Sequence, residues 1–135
     1  MSIVIDASIA VKWVLNEPAT DEALALQDGQ LIAPELWLAE AANALWRHVR
    51  IGELRPEQAL ARMHELTEAP VASLTIEPHV ERALALAIEL AHPIYDCLYL
   101  ALALAQDTYV VTDDRRFFAA ANRPALAGRV RLLGS

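Results

Sequence analysis

Short β-branched and apolar runs alternate with longer amphipathic stretches along the whole chain, and this alternation restricts the fold most. The runs are Ile3 to Ile5, Leu31 to Ala33, Ala72 to Ile76, Tyr109 to Thr112 and Arg129 to Leu133. Helical spacing fills the intervals. One helix is predicted from Ala7 to Leu15 with Ser8 as a possible N-cap, and one from Thr20 or Asp21 to about Gln27. A long helix is opened by Pro34 and closed by Gly52, and another runs from Arg55 to about Glu68. The last three run from Pro78 to Leu90, Tyr95 to Gln106 and Asp113 to Ala121. Strands separated by helices pair in parallel, because each connection must cross back over the sheet. The expected fold is α/β: a central, mostly parallel sheet of about five short strands, with helices on both faces. No repeat, low-complexity segment or long linker interrupts it, so residues 1–135 read as one domain.

Composition narrows the function. The chain has 135 residues and a formal net charge of -7, with a pI of about 5.0. That excludes a strongly basic nucleic-acid-binding domain. It does not exclude a nuclease, since acids that hold metal ions count as negative. The hydrophobic share of 56% is high against the usual ~45–50%, so part of the apolar surface is expected to meet a partner. Cys97 is the only cysteine, which rules out an internal disulfide and a cysteine-based zinc site; a buried thiol is the expectation. The N-terminus lacks a signal-type pattern, and the longest apolar run, Cys97 to Ala105, falls far short of the ~20 residues of a membrane span. A soluble protein of the reducing cytoplasm, with no membrane partner, is expected.

The acids are placed unusually. Asp6 ends the first strand, at the carboxyl edge where open α/β sheets bind ligands. Glu40 lies within an apolar helix, on one face with Leu36 and Asn43. Asp96 begins the strongly apolar helix Tyr95-Asp96-Cys97-Leu98-Tyr99-Leu100-Ala101. Asp113 and Asp114 follow the fourth strand. Each alone has a plain structural account: turn chemistry for Asp6, a first-turn acid for Asp96, an exposed face residue for Glu40, a helix cap for Asp113. Together, several acids, each on an apolar element and two of them at strand ends, repel one another unless cations lie between them. Carboxylate oxygens of this kind suit Mg²⁺ or Mn²⁺ rather than zinc.

Four stretches, spread in order over nearly the whole chain, resemble the motifs of PIN-domain toxins of type II toxin–antitoxin systems, the VapC group. They are Asp6-Ala7-Ser8 with Lys12-Trp13; Pro34, Glu40 and Asn43; Tyr95-Asp96 with Tyr99-Leu100-Ala101; and Val111-Thr112-Asp113-Asp114-Arg115-Arg116-Phe117. The resemblance implies a PIN-like fold and a metal-dependent endoribonuclease. Asp6, Glu40, Asp96 and Asp114 would be its catalytic and metal-holding acids. Ser8 and Thr112 would be supporting hydroxyls, Asn43 would lie beside Glu40, and Asp113 would fall on a variable position. The implied cofactor is Mg²⁺, with Mn²⁺ as the other candidate. The implied partners are an RNA substrate, a cognate VapB-like antitoxin whose C-terminal segment wraps the toxin, and a second copy in a homodimer.

Lys12, Arg47, Arg50, Arg115 and Arg116 are candidates for RNA phosphate or for solvated surface charge, with Arg115 and Arg116 favoured by their place beside Asp114. Trp13, Trp37 and Trp46 are expected to pack rather than stack on bases. His48, His64 and His79 are expected at the surface; His92, before Pro93 and close to Asp96 in sequence, is expected in a loop, with an approach to the site as the alternative. Two other functions stay open: a catalytically silent PIN-like module that only binds a partner, and a phosphoacceptor or phosphatase site. The latter lacks the second Asp two residues after the first, where Ser8 stands.

Overall fold

The computed structural model describes all of residues 1–135. Five strands form one sheet: β1 (Ser2–Ile5), β2 (Gln30–Pro34), β3 (Val71–Leu74), β4 (Val110–Thr112) and β5 (Val130–Leu132), in the order β3-β2-β1-β4-β5. Every pairing is parallel. Seven helices connect and cover them: α1 (Ala7–Val14), α2 (Thr20–Ala25), α3 (Trp37–Arg50), α4 (Pro56–Thr67), α5 (Val80–Leu90), α6 (Ile94–Ala105) and α7 (Arg115–Ala120). The expected architecture is therefore present, with a sheet that is parallel throughout.

β1 lies in the middle of the sheet, and the chain order reverses on either side of it. Its neighbours are β2 on one flank and β4 on the other, with Val4 opposite Val110 and Ile5 opposite Val111. Such a reversal opens a crevice beyond the carboxyl ends of the strands, and Asp6 and Thr112 stand at its two lips.

The helices pack as two groups. α1 lies against α2, α3 and α4, while α5 and α6 pair with each other and α6 rests on β1, β2 and β4. Residues Cys97 to Ala103 of α6 are all buried. A helix apolar on every side belongs in such a sandwich position, which accounts for the longest apolar run in the chain. No single helix is long and apolar enough to cross a membrane.

Several boundaries differ from the sequence-based expectation. Pro34 ends β2 rather than opening α3: it is still in register with Leu74, and the Glu35 N–H donates to the Leu74 carbonyl at 2.7 Å, so the helix begins only at Trp37. Pro78 lies in a 3₁₀ turn, Glu77–His79, before α5. Asp6, not Ser8, caps α1, accepting from the backbone N–H groups of Ser8 and Ile9. Asp114, not Asp113, caps α7.

Candidate active site

A cleft of about 680 Å³ opens at the switch between β1 and β4. Asp6, Glu40, Asp96 and Asp114 all line it, as do Ser8, Asn43 and Asp113. The acids come from four separate segments: the end of β1, the first turn of α3, the first turn of α6 and the cap of α7. The spacing that put Leu36, Glu40 and Asn43 on one helix face is realised, since all three face the cleft.

Asp6 is the most constrained of the group and only 4% exposed. Ser8 Oγ donates to its Oδ1 at 2.5 Å, and Thr112 Oγ1 donates to its Oδ2 in a short hydrogen bond. Each hydroxyl accepts a backbone N–H in turn, Ser8 from Asp113 at 2.9 Å and Thr112 from Asp114 at 3.0 Å. Those N–H donors leave each hydroxyl proton free to point at Asp6, so the β4–α7 loop fixes the carboxylate through two relays. Burial nevertheless pushes the Asp6 carboxyl up to about 7, opposed by these donors and reinforced by the Asp96 charge.

Glu40 accepts a hydrogen bond from the Tyr99 hydroxyl at 2.6 Å. Burial raises its pKa, the Tyr99 bond opposes the rise, and Asp96 adds to it. Tyr99 is itself buried; burial, with Glu40 beside it, raises its pKa, so it remains a fixed donor. Asp96 is also raised by burial, an effect opposed by His92 and increased by Asp114. The acids thus feel one another across the cleft. Asp114 spends one oxygen on capping α7, accepting from Arg116 N at 2.9 Å and Phe117 N at 3.3 Å.

Basic residues are placed differently from the sequence reading. Arg115 and Arg116 are exposed and do not line the cleft, whereas Lys12 and Arg47 do. Lys12 is not a surface charge: its side chain is buried, with Nζ donating to the Pro18 carbonyl at 2.9 Å and paired with Asp113 at 3.2 Å. Asp113, read as a variable position, is thereby tied to the site through both its backbone and its side chain. His92 is not merely a loop residue, because its Nε2 lies 2.6 Å from Asp96 Oδ2. Among the tryptophans, Trp37 is buried and Trp13 half-buried, but Trp46 is exposed, with Arg50 over its ring at 5.5 Å.

Sequence reasoning placed Tyr99 in a motif without giving it a role, and favoured a loop role for His92 over an approach to the site. The signal was there in their spacing: Tyr99 follows Asp96 by three residues on α6 and shares its cleft-facing side, and His92 lies four residues before Asp96, within reach of its carboxylate.

The donor set suits a hard divalent cation. All four acids offer oxygen, Asp6 and Glu40 have only hydroxyl and backbone N–H partners, and Asp6, Glu40 and Asp96 each carry a pKa raised partly by a neighbouring carboxylate. As the side chains stand, no three acidic or histidine side chains converge on one coordination point. The shared cleft, oxygen chemistry and uncompensated charge carry the fit, rather than a finished cage.

The PIN domain family model matches residues 3–123. A ribonuclease VapC3 of Pyrobaculum aerophilum is 35% identical over 121 residues, covering 86% of this chain and 92% of its own. A ribonuclease VapC1 of Mycobacterium tuberculosis is 34% identical over 132 residues, covering 95% and 97%. Among solved structures, PAE2754 from Pyrobaculum aerophilum superposes with a TM-score of 0.74 at 23% identity, over 97% of this chain and 83% of its own. A toxin–antitoxin complex from Klebsiella pneumoniae gives 0.67 at 18% identity, over 90% and 92%. The two structures show the shared fold. The family model and the two relatives show that the chain belongs to the PIN-domain family and, within it, to the VapC group.

Proposed function

We propose that this protein is a metal-dependent endoribonuclease, the toxin of a type II toxin–antitoxin pair. One observation carries the reading: four acids from four distant segments line a single cleft at the sheet's switch point. Kinship with ribonuclease VapC proteins supports the choice of RNA as substrate.

In this reading Asp6, Asp96 and Asp114 would hold Mg²⁺, or Mn²⁺, and Glu40 would hold an ion or orient water. The ion, when bound, supplies the positive charge that favours in-line displacement at phosphorus and acidifies the attacking water. The chain's own residues do the rest. Ser8 and Thr112 hold both oxygens of Asp6 in place, and Tyr99 holds Glu40. Asn43 and Arg47 line the same wall, where Arg47 is placed to meet a phosphate of the RNA.

The antitoxin fits as a segment combining apolar side chains with a cation. It would cover the exposed Trp46 of α3, Ile51 just beyond it and Leu60 of α4 and bring its basic group to the acidic cleft. A second copy of the chain fits α5, where Val80, Leu84 and Ile88 repeat every four residues and are all exposed.

The test uses purified protein freed of antitoxin and total RNA with Mg²⁺ or Mn²⁺. Discrete cleavage is expected, lost in excess chelator and lost in Asp6→Ala. Cleavage that persists under either condition overturns the metal mechanism. A protein that binds its antitoxin but cuts no RNA is the silent module instead.

A further inference from the structure

We infer that His92 is a positioning residue: its imidazole sets the orientation of Asp96 and its spacing from the Asp114 cap. The inference rests on the proposed role of Asp96 as a cation ligand. Three observations carry it.

First, His92 Nε2 lies 2.6 Å from Asp96 Oδ2. Toward an ionised carboxylate Nε2 must carry the proton and donate, which fixes the tautomer. Secondly, the ring cannot swing away. Its side chain is 11% exposed, and it stacks on Phe117 with centroids 5.6 Å apart and planes inclined by 18°. Phe117 is buried, and its backbone N–H donates to Asp114 Oδ1 at 3.3 Å. One imidazole therefore hydrogen-bonds Asp96 and packs on Phe117, the residue whose amide Asp114 caps. Thirdly, the backbone at this turn is built for the placement. Ala91 closes α5 in the left-handed region at φ 51°. The His92 N–H then donates to the Ala87 carbonyl at 3.1 Å, and Pro93 opens α6. A surface histidine needs none of this.

Groups that orient a metal-binding carboxylate change metal affinity by roughly 10–100-fold when removed. Three variants separate the roles of the ring. His92→Phe keeps an aromatic ring on Phe117 but has no N–H. His92→Gln returns a donor at the position of Nε2. Asp96→Asn removes the carboxylate itself. Mn²⁺ affinity, read by electron paramagnetic resonance of the free ion, is measured for each beside the unaltered protein. Binding weakened about tenfold or more in His92→Phe, substantially restored in His92→Gln, and weakest in Asp96→Asn is the expected order. Long-range ¹⁵N–¹H spectra of the unaltered protein, taken well above the ordinary imidazole pKa, supply a readout that needs no variant. The proton is expected on Nε2.

Mn²⁺ affinity in a folded His92→Phe equal to that of the unaltered protein overturns the inference and leaves the metal reading standing. So does a proton on Nδ1. Failure of the unaltered protein to bind Mn²⁺, or an unchanged affinity in Asp96→Asn, overturns the metal reading and this inference with it. Should His92→Phe not fold, the tautomer decides.

Discussion

Asp6 is held in place by two hydroxyls at a cost to the fold. Its oxygens are held by two hydroxyls, yet burial lifts its carboxyl to about 7, so the folded state binds a proton there at a higher pH than the unfolded chain does. The sign follows from linkage. A folded-state pKa above the unfolded one gives stability that is full below the ordinary carboxylate range and is lost as pH rises through the folded value. Glu40 and Asp96, also raised, act in the same direction. In chelator, the thermal midpoint is therefore expected to fall between pH about 5 and about 8, and added Mg²⁺ to restore more at the upper end than at the lower. A midpoint that rises over this interval, in calorimetry, refutes the account. Asp6→Asn removes the buried charge and keeps an acceptor for Ser8, so it is expected to abolish cleavage while raising the chelated protein's midpoint at the higher pH. Tyr99→Phe leaves the Glu40 carboxylate without its donor, at a cost of about 1 kcal/mol of stability by urea denaturation and with a clear loss of nuclease rate.

At the scale of elements, the loop after β4 is joined to α1 by more than the sheet. The buried Lys12 ammonium bridges the Pro18 carbonyl and the Asp113 carboxylate, while the Asp113 amide holds Ser8. Asp113→Ala leaves that ammonium without its counterion. Because the Asp113 side chain is half exposed, the loss is expected to be about 1–2 kcal/mol rather than the full cost of breaking a buried pair. In the double variant Lys12→Met with Asp113→Ala the two losses are expected to be less than additive, which a denaturation cycle measures. Leu100, fully buried in α6, is expected to cost about 2–5 kcal/mol when cut to Ala. Elements of this kind were legible in the sequence where the cause is local. The β-branched runs and the run of α6 that is apolar on all sides each announce themselves. Asp6 stood out because a strand end is a short-range event, whereas Asp114 was singled out by the motif resemblance and its capping of α7 came only with the structure. What the sequence left hidden depends on tertiary contact. Pro34 is read as a helix opener until β3 is seen to pair with it. Lys12 is read as a surface cation until Asp113 arrives from more than a hundred residues away. The Tyr99 to Glu40 bond joins α6 to α3, and no spacing rule connects those two helices.

For the molecule as a whole, the apolar excess divides into a core and an unfilled face. The core cluster spans every strand but β3 and includes buried residues of α1 to α7. The unfilled face is on α5. A two-fold axis at Leu84 would set that residue against its copy and Val80 against Ile88, so the stripe is complementary to itself. Sedimentation equilibrium is expected to find a dimer, and Leu84→Arg a monomer; a monomeric unaltered protein removes this assignment.

The sheet order has a consequence for how the protein is made. β1, β2 and β3 all precede residue 75, and they can pair in sequence as the chain emerges. β4 is the inner neighbour of β1, yet it is synthesised after residue 109. Until then β1 keeps an open edge in what becomes the middle of the sheet, and such edges template unwanted pairing. Asp6 in the same interval lacks Thr112, and the cleft lacks Asp114. Under the proposed function, a chain stopped before β4 would carry an open strand edge and an incomplete set of site residues.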